Sequence, residues 1–241
     1  MPPASEPGRP VGRRVVLGML GLGGVGVVFG GSISRAIGAV TRPIEMRDPT
    51  GLSTYLPGSD RFRIYSVVGF SPERSRGEYR LKVDGLVGTT AAYSYAQLTT
   101  DLPQTAMTKD FQCVTGWRVD DVAWKGVRLS ELLDRAVVGD RATHVRLFSF
   151  DGVYTETLTL EQARRPDVLV AHQMLGKPVT KDHGGPVRLY VAPMYGYKSL
   201  KWLDRIEVVR SGEPVGYWED RGYDVDGWVG RSNGRDDEPT S

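Results

Sequence analysis

Cys113 is the only cysteine in a chain of 241 residues, and it lies in the run Phe111-Gln112-Cys113-Val114-Thr115-Gly116-Trp117. A lone thiol has no partner within the chain for a disulfide, so the chain either buries the sulfur or uses it. Gln112, Thr115 and the backbone at Gly116 set polar groups beside it, which an inert core cysteine does not need. Thiolate is a soft ligand, and a bound metal in turn keeps the sulfur deprotonated. This pattern points to metal ligation by Cys113. The alternatives are a small buried hydrophobe and a nucleophilic thiol, and no motif ties His144, His172 or His183 to the sulfur as a base.

A second group of residues is His183-Gly184-Gly185-Pro186-Val187-Arg188. The paired glycines are expected to let a ligand approach the backbone, with His183 as an added donor. In the following strand Val187, Leu189 and Val191 share one face, which turns Arg188 to the other. A guanidinium placed there can hold phosphate with two parallel hydrogen bonds. A third group is Tyr195-Gly196-Tyr197-Lys198-Ser199, where Gly196 opens the backbone and Lys198 supplies a point charge. Free N–H groups in such a turn form an anion-binding concavity. Together the two turns predict a phosphate-bearing cofactor across the end of one short strand.

The elements that must position these groups are mostly strands. Tyr79 to Val83 alternates and runs into Asp84-Gly85, Thr105 to Cys113 is extended with Cys113 at its end, and Ala142 to Phe150 is strand-like. Val187 to Val191 and Arg205 to Val209 are two more strands. A short helix begins at Leu129 with Ser130 as its N-cap, and one helical turn over Leu160 to Arg165 stops at Pro166. Strands outnumber helices, which makes the fold class α+β and β-rich rather than a doubly wound parallel sheet.

The composition, 40% hydrophobic and 25% charged with a net charge of +2, is that of a globular protein and gives no electrostatic case for nucleic acid. A single cysteine excludes a disulfide framework and a CxxC zinc site. Residues 1–43 differ from the rest. Arg13-Arg14 precedes an uncharged run of twenty residues, Val15 to Ser34, seven of them glycine. Paired arginines before a mildly apolar, Gly-rich run resemble a twin-arginine export signal, and the run is long enough to serve as a membrane anchor. Either reading places the folded part outside the cytoplasm, in the periplasm or cell envelope. Residues 44–60 read as a linker, 61–228 as one domain, and 229–241 as a disordered tail.

The segment from Phe111 to Trp117, with Trp124 to Ser130 after it, resembles the cysteine-ligand segment and following helix of the sulfite oxidase family. The segment from His183 to Trp202 resembles the stretch that holds the pyranopterin phosphate there. The likeness covers roughly Arg61 to Val209 and is strongest towards the exported bacterial branch that includes the periplasmic methionine sulfoxide reductase catalytic subunit. The resemblance implies a single-domain molybdopterin fold, without room for the immunoglobulin-like dimerisation domain of longer members. It implies one Mo-molybdopterin, Cys113 as the metal ligand, and two-electron oxygen-atom transfer on a small sulfoxide, N-oxide or sulfur oxyanion. Cofactor contacts carried over are His183, Arg188, Gly196, Tyr197 and Lys198, with Ser149, Asp60, Arg63 and Ile64 matched loosely. Arg118, five residues past Cys113, is the counterpart of the family's oxyanion-binding arginines. Electrons would be exchanged with a separate redox partner, for which a membrane b-type cytochrome is the family's usual choice. A non-catalytic cofactor-binding or electron-relay subunit is the alternative. Tyr154, Trp117 and Trp218 are candidates for the substrate pocket, although as isolated aromatics they read as core.

Overall fold

A computed structural model describes residues 62–231. The expected export signal, the linker, Asp60 and the last ten residues lie outside the described residues.

Two five-stranded sheets carry the fold. The first contains β1 (Arg80–Gly85), β2 (Ala91–Ser94), β5 (His144–Ser149), β6 (Thr155–Thr159) and β10 (Leu203–Val209), in the order β2-β1-β10-β5-β6. β10 pairs parallel to β1 and antiparallel to β5, so the last strand among the described residues fills the middle of the sheet. The second sheet contains β3 (Thr105–Gln112), β4 (Arg118–Arg128), β7 (Val168–Met174), β8 (Lys177–Pro178) and β9 (Arg188–Val191). There β3-β4-β7-β8 run in order, and β9 pairs antiparallel with β7. The fold is α+β and β-rich, as the strand-dominated pattern predicts.

α1 (Leu129–Ala136) buries Leu129, Leu132, Leu133 and Ala136, one apolar stripe of helical period. Its N-cap is Arg128, which makes no side-chain cap, so Ser130 lies inside the first turn rather than capping it. The turn expected before Pro166 is α2 (Leu160–Ala163). A capping box holds it, with the Thr159 side chain on the Gln162 amide and the Gln162 side chain returning to Thr159.

Strands β7 and β9 serve two apolar clusters at once. Val168, Val170, Leu189 and Val191 face a large core shared with the first sheet and α1. Leu169, Ala171 and Tyr190 face a smaller cluster with Phe111, Val122 and Trp124. The period-two alternation of β9 therefore turns Arg188 and Tyr190 to the smaller cluster, the direction expected from Val187, Leu189 and Val191. Residues 229–231 are tied down rather than detached: the Val229 amide donates to Pro193 O, and Tyr195 Oη donates to Arg231 O.

Candidate active site

Cys113 sits in the loop between β3 and β4, whose last paired residues are Gln112 and Arg118. The Cys113 amide donates to Trp117 O at 2.9 Å and the Gly116 amide returns to Cys113 O at 3.1 Å, which closes the loop. Gly116 takes the left-handed conformation this tight turn requires, with φ of 90°. The half-buried sulfur lies 3.2 Å from Thr115 Oγ1. It opens into a cavity of about 560 Å³.

The same cavity receives His183, Arg188 and Lys201. Arg188 is buried, and its guanidinium lies 5.6 Å from the Phe111 ring centroid and 5.5 Å from that of Trp124. It donates to the carbonyl oxygens of His183 at 2.8 Å, Ser199 at 2.9 Å and Leu189 at 3.3 Å. Those bonds leave two of its five N–H groups for a ligand. Burial brings Arg188 down to about 10, where it is still a cation at neutral pH. Burial, with Arg188 and Lys201 nearby, lowers His183 to about 4 and makes it a neutral imidazole. Burial and Arg188 lower Lys201 to about 8. Burial and the Arg188 cation thus weaken protonation of Lys201 and His183, the behaviour of a pocket that favours an anion.

Lys201 is the cation that sequence reasoning missed, and Lys198 is the one it misplaced. Lys198 is fully buried. Its ammonium donates to Glu156 and to Glu219 Oε1 at 2.6 Å, Val225 O at 2.8 Å and Thr157 O at 3.1 Å. Four acceptors saturate three N–H donors, so Lys198 has none for a phosphate. The expected concavity is also filled, because the Lys198 and Ser199 amides bond within the turn to Tyr195 O and Gly196 O. Gly196 and Tyr197 do line the cavity.

The glycines act differently from expectation. A Cβ on Gly184 would lie 2.6 Å from Lys201 Cβ, and one on Gly185 would lie 2.2 Å from Val179 O. These residues admit the protein's own chain, and Gly184 thereby brings Lys201 against the turn. A Cβ on Gly196 would strike the Phe111 ring at 2.5 Å. Arg118 is drawn away from the cavity into ion pairs with Asp120 and, at 3.3 Å, Asp110. It does not line the cavity and has no place as an oxyanion ligand there. Ser149 is buried and its Oγ accepts the Asp151 amide at 3.1 Å. Asp151, not Ser149, reaches the cavity. Arg63 and Ile64 line it, as do Tyr154, Trp117 and Trp218, the aromatics that read as core from sequence.

Trp117 Nε1 and Gln112 Oε1, from the residues around Cys113, are buried without a hydrogen-bond partner, as is Asp151 Oδ2; Trp117 and Asp151 line the cavity and Gln112 does not. Buried polar atoms of this kind are costly unless a ligand satisfies them. Among the described residues no three His, Cys, Asp or Glu side chains cluster as a metal site. A metal ligated by Cys113 would therefore have to arrive with other ligands of its own. The donors, the orphaned polar atoms and the cation group fit an anionic heterocyclic cofactor.

The model of the oxidoreductase molybdopterin binding domain matches residues 69–218, more than half of the chain. The chain belongs to the molybdopterin-binding oxidoreductase family. Its sequence is 33% identical to the Bacillus subtilis oxidoreductase YuiH over 150 residues, 62% of this chain and 74% of that one. It is 30% identical over 156 residues to the Xanthomonas campestris protein-methionine-sulfoxide reductase catalytic subunit MsrP, 59% of this chain and 48% of that one. The sulfane dehydrogenase SoxCD of Paracoccus pantotrophus has the same fold, with a TM-score of 0.57 and 21% identity over 68% of this chain and 48% of that one. The chain therefore spans about half the length of two of these three proteins. Identity to YuiH and MsrP is of the same order, which assigns the molybdopterin family and not a branch within it.

Proposed function

We propose that this protein is a molybdenum cofactor-dependent oxidoreductase that transfers an oxygen atom to or from a small sulfoxide, N-oxide or sulfur oxyanion. The observation that carries this reading is the opening of the Cys113 thiol into the cavity that also receives Arg188, Lys201 and His183. When bound, a single molybdenum-pyranopterin supplies two-electron oxygen-atom transfer. Cys113 would be its protein thiolate ligand. Arg188 and Lys201 would hold its phosphate end by charge-assisted hydrogen bonds, with neutral His183 beside them.

The remaining work falls to the chain's own side chains. Arg188 fixes the loop that carries His183, so the anion-binding groups are preorganised before any ligand arrives. Trp117 lines the cavity with Cys113 and keeps an unpartnered Nε1 donor, which would bond and tune the surroundings of a bound metal. Tyr154, Tyr197 and Trp218 give the cavity an apolar wall that limits water.

Electrons would pass to or from a separate redox partner, for which a membrane b-type cytochrome is our candidate; the similarity to MsrP, a catalytic subunit, supports a second component. Arg13-Arg14 and the uncharged run after them support export of the folded domain to the periplasm or cell envelope.

The test is elemental analysis of protein purified from a host that makes the cofactor. It is coupled to a reduced-viologen assay against sulfoxides and N-oxides, with sulfite as an electron donor in the oxidative direction. About one molybdenum per chain and turnover of one of these classes is the expected result. Protein free of molybdenum would overturn the reading.

A further inference from the structure

Five aromatic side chains form a closed arc on the cavity wall. Tyr154 stacks on Tyr217 with ring centroids 5.5 Å apart. Tyr217 meets Trp218 edge-on at 5.3 Å, and Trp218 meets Tyr223 at 5.3 Å. Tyr223 reaches Tyr197 at 5.5 Å, and Tyr154 Oη closes the arc by donating to Tyr197 O at 2.6 Å. All five residues line the cavity. Tyr217, Trp218 and Tyr223 come from the segment 214–228, which has no strand and only the 3-10 turn Glu219–Arg221 among its described residues.

A segment with so little backbone ladder needs side chains to hold it. Each stretch that supplies an aromatic to the arc also supplies a member of one buried ionic cluster. Tyr154 is two residues from Glu156, Tyr197 precedes Lys198, and Trp218 precedes Glu219. The side chains of Lys198, Glu156 and Glu219 are 0%, 0% and 1% exposed. Lys198 also donates to Val225 O, and Tyr197 Oη donates to Asp224 O at 2.6 Å, both within the same segment. The backbone at Gly216 closes over the carboxylates, since a Cβ there would lie 2.3 Å from Glu219 Oε2 and 2.9 Å from Glu156 Oε1. Burial, reinforced by Glu219, pushes the Glu156 carboxyl well above the usual carboxylate range in spite of Lys198. Breaking one member of such a cluster strands the others in a dry site, so the three act as a unit.

We propose that this aromatic arc is the subsite for the organic substituent of the substrate, and that the Lys198–Glu156–Glu219 cluster is the clamp that holds segment 214–228 in shape. The substrate class that fits is an oxide of sulfur or nitrogen carrying a planar or apolar group, packed by aromatic contacts at 4.5–7 Å. The assignment rests on the cavity being the oxygen-transfer site. Lys198, Glu156 and Glu219 are positioning residues that touch no substrate.

The experiment compares wild type with Trp218→Ala, Lys198→Met and Glu219→Gln, all loaded with cofactor in the producing host. Wild type should favour methyl phenyl sulfoxide over dimethyl sulfoxide in kcat/KM. Trp218→Ala should reduce that preference about tenfold through KM, with kcat within about twofold. Lys198→Met should show the same loss, and amide exchange in peptides covering 214–228 should quicken at least about tenfold while β1, β5 and β10 stay protected. Glu219→Gln, which keeps an acceptor for Lys198, should fall between it and wild type. An unchanged preference in Trp218→Ala overturns the subsite. Unchanged exchange over 214–228 in both Lys198→Met and Glu219→Gln overturns the clamp, and if Lys198→Met opens the whole domain, Glu219→Gln decides it alone. Should wild type turn over no oxide, quenching of tryptophan emission by methyl phenyl sulfoxide still tests the arc: quenching lost in Trp218→Ala supports it, and quenching retained overturns it.

Discussion

The guanidinium of Arg188 donates to the carbonyl oxygen of His183 at 2.8 Å and so fastens the turn that leads into its own strand. Two further carbonyls, of Ser199 and Leu189, depend on the same side chain. A lysine keeps the charge, but its compact ammonium lacks the planar fork by which Nε, Nη1 and Nη2 each reach a different carbonyl. Arg188→Lys is expected to lose about 2–4 kcal/mol in urea denaturation, the cost of two or three unmade bonds to a charged donor. Its molybdenum content after purification should fall several-fold.

Cys113→Ser replaces a soft ligand by a hard one at a half-buried loop position. Molybdenum should drop to background and the Mo(V) paramagnetic signal should vanish. Stability in urea should stay within about 0.5 kcal/mol of the unloaded wild type, because the loop's backbone bonds do not involve the side chain.

Lys201 is held down to about 8 by burial and by Arg188. Below that pH the ammonium attracts an anion, and above it the neutral amine does not. Sulfate, whose own charge is constant over this range, should bind the unloaded protein more weakly as pH rises through 8. Lys201→Met should bind sulfate about five- to tenfold more weakly at pH 7 and lose the pH dependence. Calorimetric titration from pH 6.5 to 9 measures both.

His172 Nε2 donates to Gln104 Oε1 at 2.7 Å, which leaves Nδ1 as the site for a second proton. Nδ1 is buried without a partner, and burial lowers this histidine from 6.5 to about 4. Between those values the unfolded chain binds the proton and the folded one does not, so stability falls as pH drops from 6.5 to 4. The loss should reach about 3 kcal/mol at pH 4, at 1.4 kcal/mol per pH unit. Urea curves at pH 7, 5.5 and 4.5 give the slope, and NMR titration of the imidazole gives the midpoint.

Strands with one face on the core were legible in the sequence. Tyr79 to Val83 and Ala142 to Phe150 alternate because only every second residue is buried. β7 was not legible, since Val168 to His172 is buried on both faces and an unbroken apolar run has no period. The longest strand, β4, was hidden by Asp120, Asp121 and Gly126. In the site, Cys113 and Arg188 were legible from residue type and parity. The choice between Lys198 and Lys201 was not, because it is made by Glu156 and Glu219, 42 and 21 residues from Lys198. One signal was available: in Thr155-Glu156-Thr157-Leu158, Glu156 shares a strand face with Leu158, and an inward acid needs a cation.

β10, the last strand among the described residues, lies between β1 and β5. Until residues 203–209 have left the ribosome, the first sheet is two separate pieces with unpaired edges, β2-β1 and β5-β6, and the aromatic segment 214–228 has yet to follow. The cavity wall is therefore completed late, after β1 and β10 close over a sequence separation of more than a hundred residues. A chain released before that point carries Cys113, His183, Arg188 and Lys201 but not Tyr217, Trp218 or Tyr223, so the cavity wall depends on synthesis of the residues that follow β10.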